Sequence, residues 1–351
     1  MTSASPLASQ QAIRLLQCGE ILTGALTEQV FGEIMAGHAT PGQIGAILLG
    51  LSIRGESADI IAGAAKAMRA ASTRISPNAK GLIDTCGTGG TGGKGGAKMF
   101  NISTATSLIV AACGVPVAKH GNRAMTSKSG SADVLEALGV NLDLSPAQVS
   151  DSIDAVGIGF LFAQKLHPAM RFAGPVRREL GVRTIFNLLG PLTNPAGAEY
   201  QVLGVFSKDK LELVAGALQQ LGIRRALVVH GRDGLDEITT TDITDAILVQ
   251  AGQPPIRFEI DPAAFGMPYA APSALAGDDA ATNAAILQHI FAGQAGAGRD
   301  IVLLNAAAAL WVAGRVDGIA DGLVMAARAI DSGRVRQKLD ELIAFTQQAK
   351  P

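Results

Sequence analysis

The sequence predicts an α/β protein: a small all-helical N-terminal domain followed by a larger domain whose mostly parallel central sheet is flanked by helices. Three observations predict it. The first 75 or so residues read as helix after helix, with no strand pattern between them. From Gly81 onward, short apolar runs alternate with helical periodicity, as expected of parallel strands joined by crossover helices. Hydrophobic residues make up 48% of the 351-residue chain against 17% charged, enough apolar material for one large core or two modest ones.

Taken in order, Gln11–Gly19, Thr27–Ala36, Thr40–Arg54 and Ala58–Ala71 place apolar residues three and four apart. The third has clear start signals: Thr40 as cap, Pro41 in the first turn and Gln43 three residues after the cap. Leu82-Ile83 then reads as a short strand, followed by a glycine-rich loop and a helix over Ser103–Cys113. Val115–Ala118 leads to a second loop and a helix over Ser131–Leu138 that stops at Gly139. Ser145-Pro146 opens a helix ending near Gly157, and Ile158–Phe162 reads as a buried strand. Gln201–Phe206 and Ala226–His230 read as strands on either side of a helix over Lys208–Leu221. Asp278–Gly293 and Arg299–Ala313 read as late helices. The segment Arg171–Pro195 breaks the alternation, being basic, then apolar, then rich in Pro and Asn. The expected division is a helical domain over 1–75, joined by part of about 171–195, and an α/β domain over 80–351.

Composition narrows the function classes. A net charge of −1 gives no whole-protein case for nucleic acid or an anionic membrane. Three widely spaced cysteines, Cys18, Cys86 and Cys113, suggest neither a disulfide framework nor a zinc cluster, and a cytoplasmic location is expected. Met1–Gln11 lacks the pattern of a secretory signal. The most apolar run, Leu108–Ala118, holds Gly114 and Pro116 and is too short to span a bilayer.

Four segments carry chemistry. The first runs from Asp84 to Gly96, with seven glycines between 87 and 96, after a strand and shortly before a helix start at Asn101-Ile102-Ser103-Thr104. Glycine lets backbone N–H groups approach an anion, and the helix N-terminus adds free donors and partial positive charge. No Gly-Lys-Ser/Thr closes the loop, so it is not a Walker loop, and it lacks a clean dinucleotide fingerprint. Read alone, it is a phosphate cradle or a bare surface loop. The second is Lys119–Ser131, in which cations and hydroxyls crowd the end of a strand, where open parallel sheets place their ligands. Its bland alternative is a solvated basic loop before an ordinary helix. The third, Asp233-Gly234-Leu235-Asp236-Glu237, offers adjacent carboxylates of the kind that hold Mg²⁺ against a substrate phosphate, although Asp-Gly is also a common turn. The fourth is His167-Pro168 with Arg171, Arg177, Arg178 and Arg183, where one arginine fork could hold a carboxylate and the sequence does not choose which.

Together these segments resemble the anthranilate phosphoribosyltransferase family. The resemblance rests on Gly87-Thr88-Gly89-Gly90, Phe100–Thr104, Lys119-His120-Gly121-Asn122-Arg123, Ser127–Leu135, Arg177-Arg178-Glu179-Leu180-Gly181, Asn187–Pro195 and Asp233–Glu237, seven pieces in the family's order. It covers most of the chain, from the helical N-terminus to Asn305–Leu310. It implies transfer of a phosphoribosyl group from phosphoribosyl pyrophosphate (PRPP) to anthranilate in tryptophan biosynthesis, with Mg²⁺, two ions per subunit, and a homodimer built through the helical part. It implies PRPP binding by Gly87, Gly90, Thr91, Asn101, Ile102, Ser103 and Thr104, by the segment Lys119, His120, Gly121, Asn122, Arg123, Ala124, Met125, Thr126 and Ser127, and by Ser131. Ser103, Asp236 and Glu237 would serve the metal. Gly87, Asn122 and Arg177 would contact anthranilate, and Lys119, Asn122 and Arg177 would position the reactants with no acid or base catalyst. The chain departs from the family where an Asp usually follows Gly-Thr-Gly-Gly: here stands Thr91, in a loop about four residues longer that carries Lys94 and Lys98, with Met99 after it. Fewer carboxylates and more cations there favour pyrophosphate and alter the seat of a second Mg²⁺. The other readings are transfer to a different aromatic acid, a nucleoside phosphorylase, and a non-enzymatic nucleic-acid-binding paralogue.

Overall fold

The computed structural model describes residues 7–89, 99–124 and 128–349. Four helices come first: α1 (Ala8–Gln17), α2 (Gly24–Ala36), α3 (Pro41–Arg54) and α4 (Ala58–Ala70). Thr40 caps α3 as expected, its side chain accepting from the Gln43 N–H while the Gln43 side chain accepts from the Thr40 N–H. Apolar faces of α2, α3 and α4 meet in a core that includes Val30, Phe31, Ile47, Leu48, Leu51 and Ile61, all fully enclosed.

The sheet follows. Strands β1 (Ile83–Asp84), β2 (Val117–Gly121), β3 (Ile158–Phe162), β4 (Tyr200–Gly204), β5 (Arg225–Gly231), β6 (Thr244–Gln250) and β7 (Ile256–Ile260) lie in the order β3-β2-β1-β4-β5-β6-β7. The first five are parallel, with Ile83 of β1 in register with both Val117 and Tyr200. The crossovers hold α5 (Ile102–Ala112), α6 (Ser131–Ala137), α7 (Pro146–Val156) and α8 (Ala163–Leu166), then α9 (Met170–Leu180), α10 (Phe186–Leu189) and α11 (Lys210–Gln220). Ser145, Pro146 and Gln148 form a second capping box on α7, and Gly157 ends that helix in the left-handed conformation. Late helices α12 (Ala280–Phe291), α13 (Ala297–Val312), α14 (Ile319–Asp331) and α15 (Arg334–Gln348) close the chain.

One part differs from the sequence-based expectation. β6 and β7 form an antiparallel extension of the sheet, pairing Ala226 with Val249 and Ala246 with Phe258. β7 carries exposed Ile256 and Arg257, so its apolar alternation is too weak to signal a strand. Arg171–Pro195 is largely helical, and Ala173 and Val176 of α9 join the same core as α2 and α3.

Strand order reverses between β1 and β4, because β1 leads leftward to β2 and β3 while β4 leads rightward to β5. In open parallel sheets the crevice outside the strand carboxyl ends at this point receives ligands. The glycine-rich loop, the basic loop and the acidic pair follow β1, β2 and β5, so all three leave the sheet at that end.

Candidate active site

The loop after β1 meets the acidic pair directly. The Gly89 N–H donates to Asp236 Oδ2 at 2.6 Å, and the Thr88 N–H donates to the Gly204 carbonyl at 2.8 Å. A side chain on Gly87 would stand 2.6 Å from Asp236 Oδ2, so glycine is needed for this approach. Glu237 stands near the Ser103 backbone at the start of α5, and Thr85 Oγ1 donates to the Ser103 carbonyl at 3.1 Å. Burial and then the neighbouring Asp236 charge hold the Glu237 carboxyl well above its ordinary value. Cys86 lies in the same field; burial first, with Asp84, Asp236 and Glu237 and against Lys119, pushes its thiol up to about 12. Two adjacent carboxylates that repel one another at a buried rim fit a hard dication, which would relieve that repulsion. Among the described residues no group of three or more His, Cys, Asp or Glu side chains forms a cage. A site of two carboxylates completed by substrate oxygens and water suits Mg²⁺ better than zinc.

The end of β2 supplies the cation. Lys119 is buried, its ammonium donating to the His120 carbonyl at 3.3 Å and lying 3.5 Å from the Thr85 carbonyl. Asp84, fully enclosed, accepts from the His120 N–H at 3.2 Å and from Asn194 Nδ2 at 2.7 Å. These contacts tie β1, β2 and the turn after residues 190–193 into one rigid wall. Gly121 makes room for Ser131, whose hydroxyl stands against the Asn122 backbone. Asn101 is held by Asn283 of α12 at 3.0 Å, and Asn122 Oδ1 accepts from the Arg123 N–H at 2.8 Å.

Several residues named from the sequence take other places. Arg123 spends its guanidinium on Asp133 and Glu136, at 3.1 and 2.6 Å, rather than turning it to the crevice. The side chains of Ile102 and Thr104 are buried in α5; the Ile102 N–H donates to the Phe100 carbonyl at 2.8 Å, and the Thr104 hydroxyl has no partner among the described residues. The Ala124 N–H donates to Asp133 Oδ2 at 2.9 Å. Asp233 turns inward, taking the Thr239 hydroxyl at 2.6 Å and the Leu235 N–H at 3.1 Å, and shapes the loop. Gly90, Thr91, Met125, Thr126 and Ser127 lie outside the described residues, as do Lys94 and Lys98. Of the arginines in the fourth segment, Arg177 is half-buried on α9 with its guanidinium 5.0 Å from the Phe186 ring centre. Burial lowers its pKa from the usual arginine value.

Three supporting residues were not named as site residues. Gly204 ends β4 under the Asp236 backbone. Its signal was a glycine in an otherwise apolar strand, which marks a close approach. Asn194 braces Asp84. Asn305, buried in α13, brackets the peptide next to Glu237: its Oδ1 accepts from the Ile238 N–H at 3.0 Å and its Nδ2 donates to the Ile238 carbonyl at 2.7 Å. Asn305→Ala leaves both groups buried without that partner. The expected loss is about 3 kcal/mol of stability, read from urea unfolding; a loss within experimental scatter would remove Asn305 from this role.

His120 and His167 form a second buried unit. His120 Nδ1 lies 3.1 Å from the Gly190 carbonyl, so it carries the proton there; His167 Nε2 then donates to His120 Nε2, also at 3.1 Å. Burial, with His167 and Lys119 adding for His120, lowers His120 to about 3 and His167 to about 4. Their depressed folded values mean that stability is present above the unfolded value of about 6.5 and lost as pH falls toward 4 and 3. Asp84 works the other way: burial raises it to about 6 against Lys119, so its protonation favours the folded state below that pH. At pH 5 the imidazoles cost roughly 2 kcal/mol each and Asp84 returns roughly 1. The net expectation is a fall of roughly 3 kcal/mol in unfolding free energy between pH 7 and pH 5. Urea midpoints at the two pH values measure it, and equal midpoints would contradict a neutral imidazole pair.

Loops for an anion, a buried lysine and an acidic pair at the switch point of a parallel sheet, beside a helical bundle, define a class. The family model described as "Glycosyl transferase family, a/b domain" matches residues 79–336, and "Glycosyl transferase family, helical bundle domain" matches residues 10–72. The anthranilate phosphoribosyltransferase of Anaeromyxobacter sp. (strain K) is 52% identical over 337 residues, covering 96% of this chain and 98% of that protein. The crystal structure of the anthranilate phosphoribosyltransferase from Thermus thermophilus superposes with a TM-score of 0.89 at 42% identity, covering 97% of this chain and all of that one. The Saccharomyces cerevisiae enzyme in complex with PRPP and Mg gives the same TM-score at 24% identity, over 98% of this chain and 99% of that one, a likeness of fold. The chain belongs to the anthranilate phosphoribosyltransferase family.

Proposed function

We propose that this chain transfers the phosphoribosyl group of PRPP to the amine of anthranilate, giving N-(5-phosphoribosyl)anthranilate and pyrophosphate, in tryptophan biosynthesis. The observation that supports this reading is the joining of the loops after β1 and β5 through the Gly89–Asp236 hydrogen bond, with Lys119 at the end of β2 lying 3.5 Å from the Thr85 carbonyl of the first loop. One crevice thereby offers N–H donors for phosphate, a metal-binding pair and a buried ammonium.

In the proposed reaction the bond from the ribose anomeric carbon to pyrophosphate breaks and a bond from that carbon to the anthranilate nitrogen forms. The pyrophosphate takes the electron pair, and the amine gives up one proton. An arylamine is already unprotonated at neutral pH, so positioning and leaving-group electrostatics carry the catalysis. The backbone at Gly87 and the start of α5 at Asn101–Thr104 receive the diphosphate. Lys119 adds a fixed positive charge in a dry setting, where it is worth more than in water. Asp236 and Glu237, with the Ser103 hydroxyl, would hold Mg²⁺, which would neutralise the diphosphate oxygens. The yeast enzyme of the same fold holds PRPP and Mg; we assign two ions per subunit here. Asn122 and Arg177 face the acceptor, with the Arg177 fork on its carboxylate. Gly90, Thr91, Met125–Ser127 and Ser131 complete the donor site in this proposal, and Arg123 contributes through its backbone.

We further assign residues 1–75 with part of 171–195 to one domain and 80–351 to the other, supported by the joint burial of Val176, Phe186 and Leu189 with the N-terminal helices. A homodimer through the helical part is supported by Leu49 and Ile53 on α3, Ile21 and Val182, which are large, apolar and exposed. Ser52 Oγ reaches the Arg183 carbonyl at 3.3 Å, which sets Ile53 beside Val182. Three free cysteines suit a cytoplasmic setting.

The test is loss of anthranilate fluorescence on mixing the protein with PRPP, Mg²⁺ and anthranilate. Loss that needs both the donor and the metal is the expected result. No loss, with an active family member working alongside, would overturn the reading in favour of another acceptor or a non-enzymatic role.

A further inference from the structure

At the end of α5 opposite the substrate crevice lies a cavity of about 360 Å³. Eleven residues of helix put it about 16 Å from the phosphate-facing N-terminus of α5. Three guanidinium groups line it: Arg315 just after α13, Arg328 in the last turn of α14 and Arg334 at the start of α15. One carboxylate, Asp321, is the only acidic lining residue. Neighbouring cations are committed elsewhere, Arg299 to Asp331 at 2.7 Å and Lys338 to Glu341 at 2.6 Å. Among the described residues, Arg315, Arg328 and Arg334 make no ion pair with a carboxylate; Arg334 Nε donates only to the neutral Ser332 hydroxyl, at 3.2 Å.

The rest of the lining is apolar. Val316, Val324 and Met325 form one wall, and Val324 is 53% exposed, one of the few large apolar side chains on this surface. Cys113 forms the floor, and burial pushes its thiol up to about 11 against the pull of Arg334 and Arg315, so the floor is uncharged. The three arginines are exposed at the mouth of this open concavity, where water weakens their mutual repulsion, and a bound oxyanion would accept paired hydrogen bonds from their forks. An apolar wall beside the forks favours a ligand with an apolar body over a bare inorganic ion, and the volume lies in the range of small-molecule sites.

We propose that this cavity is a second binding site, remote from the substrate crevice, for a small organic anion: a phosphate monoester or carboxylate carried on an apolar body. Phenyl phosphate and benzoate represent the two sources of charge. Each is titrated calorimetrically into the full-length protein saturated with Mg²⁺, pyrophosphate and anthranilate, which fills the phosphate-binding loops and the acceptor position without turnover. Binding is read as heat, so it stands or falls separately from the transfer reaction. The expected result is one saturable site per chain for at least one probe, weakened about tenfold or more in the Arg315→Ala/Arg328→Ala variant. The variant should keep kcat and KM for PRPP and anthranilate, which also shows that it folds. Loss with phenyl phosphate alone assigns the site to phosphate esters, and equal loss with benzoate extends it to carboxylates. No saturable binding of either probe at millimolar concentration, or binding unchanged by the double substitution, overturns the proposal.

Discussion

Replacing Asp236 and Glu237 together by alanine should lower kcat/KM by about 10³-fold or more, while leaving the fold as stable as before or slightly more so. The two halves of this expectation have one cause. Glu237 is held well above its ordinary pKa by burial and by the charge of Asp236, so the pair is a source of repulsion in the ligand-free protein. Removing it relieves that repulsion at the cost of the hydrogen bond from Gly89. A residue kept for stability would behave oppositely, losing stability and activity together. Lost turnover is read by anthranilate fluorescence and retained stability by urea unfolding. Near-normal turnover at saturating Mg²⁺ would sink the metal assignment; lost turnover with an early urea midpoint would turn the pair into structural residues. The single substitutions should each cost less than the pair, with Glu237→Gln milder than Glu237→Ala because the amide keeps an oxygen acceptor in the place of the carboxylate.

The parts of this molecule that were legible in its sequence are those where local chemistry and tertiary role agree. Thr40-Pro41 and Ser145-Pro146 cap helices because their side chains find partners within three residues, with little help from the rest of the fold. The parallel strands were visible because each is largely buried and holds a short run of apolar residues near glycine or proline. Strand β7 was not visible, because an edge strand needs no apolar face on its outer side. At the site, Asp236, Glu237 and Lys119 could be proposed because few other residue types do their chemistry, and the structure brings the loops that carry them together. Arg123 stands in a segment that the resemblance assigns to the donor; the partners of its guanidinium, Asp133 and Glu136, lie a helical turn apart on α6, and nothing in the linear order joins them to it. Asn305 lies 67 positions from the peptide that it brackets, a pairing that only the packing of α13 against the sheet creates.

Gly204→Ala is expected to be the most damaging single methyl that this site can receive. A Cβ there would stand 1.7 Å from the Asp236 carbonyl oxygen and 2.3 Å from its carbonyl carbon. No rotamer relieves this, because both partners are backbone. Either the end of β4 must pull away, breaking the Thr88 hydrogen bond to the Gly204 carbonyl, or the Asp236-Glu237 peptide must shift out of line with Ser103. The expected cost is about 3 kcal/mol or more of stability, together with a raised Mg²⁺ requirement in any fraction that folds. Gly42→Ala is the control: an added Cβ at Gly42 meets nothing within 4 Å, and in the first turn of α3 alanine should be neutral or stabilising by up to about 1 kcal/mol. If the two variants unfold at the same urea concentration, the backbone contact at Gly204 is not held in solution. If Gly204→Ala is destabilised but binds Mg²⁺ and turns over as the unmodified protein does, β4 has moved and the acidic pair has not. That outcome would make Asn305, rather than the close approach at Gly204, the contact that sets the position of Asp236 and Glu237.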